Sequence, residues 1–121
     1  MTIERYATDK PFPFADAVKA NGFLFLSGQV SMTASGEPLY GSVAEQTRRI
    51  MQSIEGTLTR AGASLDQVVR VQVWLSDMKY FAEFNAEYRT WFSNGFPARS
   101  VTSSALAFGL DVEVEVQATA S

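Results

Sequence analysis

From Asp111 to Thr119 the chain alternates: Val112, Val114, Val116 and Ala118 face one way, and Asp111, Glu113, Glu115 and Gln117 the other. This period of two predicts a strand with one buried and one polar face. Residues 68–75 repeat the pattern, with Val69, Val71, Val73 and Leu75 on one side and Arg70, Gln72 and Trp74 on the other. Residues 23–29 form a further extended run, entered through Asn21-Gly22, a dipeptide typical of tight hairpin turns. Shorter extended pieces are expected at residues 3–6, 17–19 and 98–104. The period changes at Ser42-Val43-Ala44-Glu45, a capping box in which the serine oxygen and the glutamate each satisfy a free backbone N–H. Val43, Ile50, Ile54 and Leu58 then share one face of a helix that stops at Gly62, a left-handed C-cap position. Ser76-Asp77 caps a second helix over residues 78–92, whose Phe81, Phe84, Tyr88 and Trp91 form an aromatic stripe expected in the core; Gly95 and Pro97 end it. Residues 31–41, rich in Ser, Gly and Pro, read as a loop.

Strands, helix, strand, helix, strands is the order of an α+β fold: a mixed β-sheet with two helices on one face. Two helices leave the other face bare. Phe23-Leu24-Phe25-Leu26 is nonetheless apolar on both faces, and Trp74 lies opposite Val73. A sheet of that kind needs a second cover, and no residues are left to supply one. Another copy of the chain is therefore expected there, making the protein a homo-oligomer.

A length of 121 residues is that of a single domain, taken as residues 1–121. Hydrophobic residues make up 46% and charged residues 19%, with a net charge of −3. That balance argues against nucleic-acid or anionic-membrane partners, which demand a basic face. The opening Met1-Thr2-Ile3-Glu4-Arg5 lacks the apolar core of a signal peptide, and no apolar run approaches the ~20 residues of a membrane span. A cytoplasmic location is the expectation. With no histidine and no cysteine, the commonest general base, the thiol nucleophile and the usual zinc ligands are all missing. Chemistry must come from Arg, Glu, Asn, hydroxyls, backbone groups and water. Arg99, at the head of an apolar segment, and Glu115, on the closing strand, are the leading candidates, though each also has an ordinary reading as a surface ion-pair residue or a solvated strand position.

An ordered set of segments gives the chain a wider resemblance. It runs through Pro13-Phe14-Ala15-Asp16-Ala17-Val18, Leu26-Ser27-Gly28-Gln29, Ala44-Glu45-Gln46-Thr47 and Ala61-Gly62-Ala63-Ser64-Leu65-Asp66-Gln67-Val68-Val69. It continues with Phe81-Ala82-Glu83-Phe84-Asn85, Pro97-Ala98-Arg99-Ser100 and the acidic closing strand. Over essentially its whole length the chain resembles the Rid (YjgF) family of reactive-intermediate enamine/imine deaminases. The resemblance implies a chorismate-mutase-like fold assembled as a trimer, with active sites between neighbouring subunits. It implies that Arg99 grips the carboxylate of a 2-imino acid and Glu115 positions the attacking water, releasing a 2-keto acid and ammonium with neither cofactor nor metal. Phe14, Ser27, Gly28, Asn85 and Val101 are implied to line the substrate site.

One extra residue separates Arg99 from the acid relative to the family pattern, and if that insertion is placed differently Glu113 takes the role. Other departures concern the pocket wall. Phe14 stands where the family has a tyrosine, Phe12 replaces a glycine, Val101 fills a position commonly Cys, Ser or Thr, and Leu106-Ala107-Phe108-Gly109 replaces a Leu-Pro loop. Phe12, Phe14 and Phe108 together lead us to expect a more apolar pocket and a preference for bulkier imines. A dedicated catabolic deaminase acting on aminomuconate-type substrates and a carboxylate-binding regulatory module are the alternatives. RNA cleavage, also described for the family, fits poorly with the acidic charge.

Overall fold

The computed structural model describes residues 2–120. A single mixed sheet is built from β1 (Ile3–Ala7), β2 (Ala15–Ala20), β3 (Phe23–Leu26), β4 (Gln29–Val30), β5 (Val68–Leu75), β6 (Ala98–Ser103) and β7 (Val112–Thr119). The strands lie in the order β1-β2-β3-β7-β5-β6, with β4 also pairing β7. Among the described residues only the β5–β6 pair is parallel; β5, β3 and β4 all run antiparallel to β7. Helices α1 (Val43–Arg60) and α2 (Phe81–Tyr88) pack side by side on one face. The expected α+β arrangement, a mixed sheet with two helices on one face, is the one observed.

Local chemistry accounts for the element ends. Asn21 and Gly22 both take positive φ, 52° and 81°, as a type I′ hairpin turn requires. The capping box closes with Glu45 N–H donating to Ser42 Oγ and Ser42 N–H to Glu45 Oε1, each at 3.1 Å. At the other end of α1, Gly62 N–H reaches Thr59 O and Ala63 N–H reaches Leu58 O, a Schellman motif that uses the left-handed Gly62.

Between the helices and the sheet lies the core. Ile50, Met51, Ile54 and Leu58 of α1 and Phe84 of α2 meet Leu24, Val71, Val73, Val112 and Val114, all with no exposed surface. Each such side chain removed from water stabilises the fold by roughly 1.5–3 kcal/mol. Gln46 is the notable polar member. It is almost fully buried, donates to Gly41 O and Asp111 Oδ2, and accepts from Asp111 N–H at 2.9 Å. Ser76 Oγ completes the set by donating to Asp111 Oδ1. The turn that leads into β7 is thus tied to α1 and to the end of β5.

Three sequence expectations need correction. Val69 is exposed rather than buried, because the β5–β7 register shifts between Val68 and Arg70. This bulge leaves Val69 unpaired and restores the inward phase at Val71. The second helix is shorter than residues 78–92: single 3₁₀ turns, Met78–Tyr80 and Arg89–Trp91, flank an α segment of eight residues. Its aromatic stripe is also not all core, since Phe84 and Tyr88 are buried while Phe81 is 41% exposed. In the 31–41 loop, a lone antiparallel bridge joins Met32 to Pro38.

The second face of the sheet presents Phe23 and Phe25, 43% and 42% exposed, beside half-buried Val18, Gln72, Trp74, Glu113 and Glu115. Among the described residues no helix packs on this face, as the two-sided apolar pattern anticipated, and the segments carrying Phe12, Phe14 and Phe108 reach its Glu113 end. No helix among the described residues is long and apolar enough to cross a membrane.

Candidate active site

Arg99 projects from β6, the edge strand, onto the helix side of the sheet, in register with buried Val71. There its Nη1 donates to Asn85 Oδ1 of α2 at 2.8 Å. The guanidinium carbon lies 5.0 Å from the Tyr88 ring centroid, with Phe84 and Phe81 at 5.9 and 5.8 Å. Cation–π contact with these rings and the bond to Asn85 fix the plane of the fork. The remaining N–H groups are left to a cavity of about 280 Å³ shared by Asn85, Tyr88, Arg89, Phe96 and Pro97. An oriented, cationic fork at a cavity wall is suited to a carboxylate. Tyr88 Oη is buried without a hydrogen-bond partner among the described residues, and burial pushes the phenol up to about 12, against the opposing pull of Arg99. Tyr88 therefore stays neutral beside the arginine.

A second cavity, also about 280 Å³, opens where the N-terminal loop meets β4 and the start of β7. Phe12, Phe14 and Phe108 form one wall: the Phe12 ring stacks on Phe14 at 6.3 Å and meets Phe108 at 6.0 Å. Gly28 lies against the Glu113 carboxylate, and a Cβ at Gly28 would collide with it. Gly28 has no positive φ, so glycine serves close approach here rather than backbone freedom. Burial, and then the charge of Glu115, holds the Glu113 carboxyl above the usual range. Gln29 and Ser53 clamp this strand to α1, with Ser53 Oγ donating to Gln29 Oε1 at 3.1 Å.

Phe108 is the outlier of the wall. Its backbone takes φ 61° and ψ 16°, the left-handed region that costs a bulky L-residue about 1–2 kcal/mol. Tyr40 Oη holds it by donating to Phe108 O at 2.7 Å.

The residues singled out from sequence thus fall into two groups. Asn85 and Arg99 meet on the helix side, and Val101, two residues on, faces the same way and packs against the core. Phe14 and Gly28 meet on the second cavity, together with Glu113. Ser27 is half-buried and turns its hydroxyl to Ala15 O at 2.6 Å. Glu115 pairs in register with Gln72, whose β6 neighbour is Ser100. It therefore faces the uncovered side, opposite Arg99, and lines neither cavity. One copy of the chain does not bring Arg99 together with either glutamate. The sequence reading missed Lys10, Val30 and Met32 of the second cavity and the tether from Tyr40. Nothing in their local pattern signals them, because contacts across the fold bring them there. No cluster of His, Cys, Asp and Glu among the described residues has the make-up of a metal site.

The family model described as Endoribonuclease L-PSP matches residues 6–121. The mitochondrial protein MMF1 of Saccharomyces cerevisiae is 41% identical over 104 residues, covering 85% of this chain and 72% of the relative. A mouse protein named 2-iminobutanoate/2-iminopropanoate deaminase is 33% identical over 105 residues, covering 85% of this chain and 78% of its own length. The crystal structure of yeast Mmf1 superposes with a TM-score of 0.92 at 36% identity, over 99% of this chain and 100% of that one. Sequence, fold and solved relatives agree, and the chain belongs to the Endoribonuclease L-PSP family, the YjgF/RidA family.

Proposed function

We propose that this chain hydrolyses 2-imino or enamine acids to 2-keto acids and ammonium, in clefts shared between neighbouring copies of a homotrimer. The observation that carries this reading is the Arg99 fork, held by Asn85 and the Tyr88 ring with N–H groups left for a ligand. The mouse relative named as an imine deaminase supports the reaction class.

Arg99 takes the substrate carboxylate bidentately and fixes the plane of the adjoining C=N bond. Glu115 holds a water over C2, with Glu113, two residues earlier on the same strand face, as the alternative holder. The water oxygen bonds to C2 while its proton passes to the glutamate and the C=N electron pair settles on nitrogen. That proton then moves to the nitrogen to give the carbinolamine. Its hydroxyl proton passes, by way of the glutamate, to the amino group. The C–N bond breaks with its electron pair leaving on nitrogen, the C=O bond forms, and the ammonia released takes a proton from water. The products are the 2-keto acid and ammonium. Activated imines hydrolyse unaided, so lowering the barrier by roughly a few kcal/mol through positioning suffices. Neither cofactor nor metal has a part in this scheme.

The placement of Arg99 and the glutamates on opposite sides of one sheet supports a shared cleft. A neighbour that covers Phe23, Phe25 and Trp74 can bring its own Arg99 to the uncovered side. Phe14, Ser27 and Gly28 then line the cleft from one copy, and Asn85 and Val101 from the other. A cytoplasmic location belongs to this proposal, and MMF1 is a relative whose name places it in mitochondria. RNA cleavage draws no support from a chain of net charge −3.

The test is imine hydrolysis, with substrate made in situ by an amino-acid oxidase and followed by competition with semicarbazide. Wild-type acceleration that is lost in Arg99→Ala is the expected result. Binding of 2-keto acids with no acceleration on any imine would replace deamination with a carboxylate-binding role.

A further inference from the structure

Phe108 carries a strained backbone that the fold itself does not require. Its ring is 47% exposed, so it adds little to the core, and glycine would take φ 61° freely. Strain of this kind survives only where the surroundings over-determine it. Here they do. Tyr40 grips the Phe108 carbonyl, Leu110 two residues on is buried, and Asp111 is tied to Gln46 and Ser76. These contacts hold the loop with the Phe108 ring 6.0 Å from that of Phe12.

That ring closes a pocket of defined chemistry. Phe12, Phe14 and Phe108 face Val30 and Met32 across about 280 Å³. Its polar side chains are Lys10, Gln29 and Glu113. Glu113 stands at the Gly28 end, on the strand face shared with Glu115, where the proposed hydrolysis takes place. A substrate whose reacting carbon sits near those carboxylates would extend its side chain between the rings. Aryl and large branched apolar side chains fill such a space with offset or edge-on ring contacts, whereas a methyl group leaves most of it empty.

We propose that Phe108, with Phe12 and Phe14, is the specificity-determining element of this site and selects 2-imino acids with aryl or large apolar side chains. This rests on the deaminase reading for the reaction, while the selectivity itself is a property of binding. It can therefore be measured apart from turnover.

The experiment titrates the wild type and Phe108→Gly with phenylpyruvate and with pyruvate by calorimetry. Thermal melts and semicarbazide competition on imines from phenylalanine and alanine accompany it. The wild type should bind phenylpyruvate at least about tenfold more tightly than pyruvate. Phe108→Gly should lose most of that ratio, leave pyruvate affinity within about twofold and melt no lower than the wild type. Four outcomes overturn the proposal: no binding of either acid, a wild type that favours pyruvate, an unchanged ratio in the variant, or equal loss of both ligands with a lower melting temperature. Selective phenylpyruvate binding with neither imine accelerated would refute deamination and sustain the selectivity. Acceleration of both imines with a ratio indifferent to Phe108 would do the reverse.

Discussion

Replacing Arg99 by lysine keeps the charge and removes the fork. In the wild type Nη1 is committed to Asn85 Oδ1 at 2.8 Å, and the Tyr88 ring sets the guanidinium plane. On the proposed reading a ligand carboxylate receives two parallel hydrogen bonds, of which an ammonium on a flexible stem would replace one. A charge-assisted hydrogen bond is worth roughly 1.5–3 kcal/mol, so Arg99→Lys should bind 2-keto acids roughly 10- to 150-fold more weakly. The fold loses less. Forfeiting the bond to Asn85 and part of the ring contact should cost about 1–2 kcal/mol, or several degrees in Tm. Calorimetric titration beside a thermal melt reads both quantities. Affinity within about twofold of wild type would refute the assignment of the carboxylate to Arg99. A collapse of the melt by more than about fifteen degrees would instead make Arg99 a residue of the fold.

Gln46→Leu removes the amide that serves Gly41 and both the N–H and the carboxylate of Asp111, and should lower the unfolding free energy by about 2–4 kcal/mol in urea titration. Glu113 is held above its ordinary value of 4.5 by burial and by Glu115, so the folded state binds its proton more tightly than the unfolded chain does. The associated stability is present below 4.5 and lost as pH rises through the raised folded value. Glu113→Gln should accordingly be more stable than wild type at about pH 8, with the difference shrinking by about pH 4 in paired urea titrations. Tyr88→Phe deletes a buried hydroxyl that has no partner and should leave Tm unchanged or raise it by a few degrees. A sharp fall would reveal a hydrogen bond to that oxygen.

Much of this architecture is written in short-range pattern. The alternation of β7, the capping box at Ser42 and the Schellman end at Gly62 depend on residues within a few positions, so the sequence displays them directly. Val69 departs from the alternation because the bulge depends on the register with β7, which no local pattern records. The pairing of Arg99 with Asn85 was within reach, since both lie in the segments that carry the family resemblance. Their separation from Glu115 across the sheet was not, because it follows from the parallel register of Arg99 with Val71. Phe108 could be named as a pocket residue from the family resemblance, because it stands in the segment that replaces a Leu-Pro loop. Its left-handed backbone and the grip of Tyr40, 68 residues away, exist only in three dimensions.

The central claim is that Arg99 and the glutamates act together only across a boundary between copies. Mixing two inactive variants, Arg99→Ala and Glu115→Gln, tests it most directly, after subunit exchange and with imine hydrolysis as readout. Glu113→Gln takes the second place if Glu115→Gln retains activity. With each site drawing the arginine from one copy and the acid from the next, random mixing in equal amounts should restore about a quarter of wild-type activity. If the mixture stays as inactive as its parents although mixed oligomers have formed, the shared site is wrong.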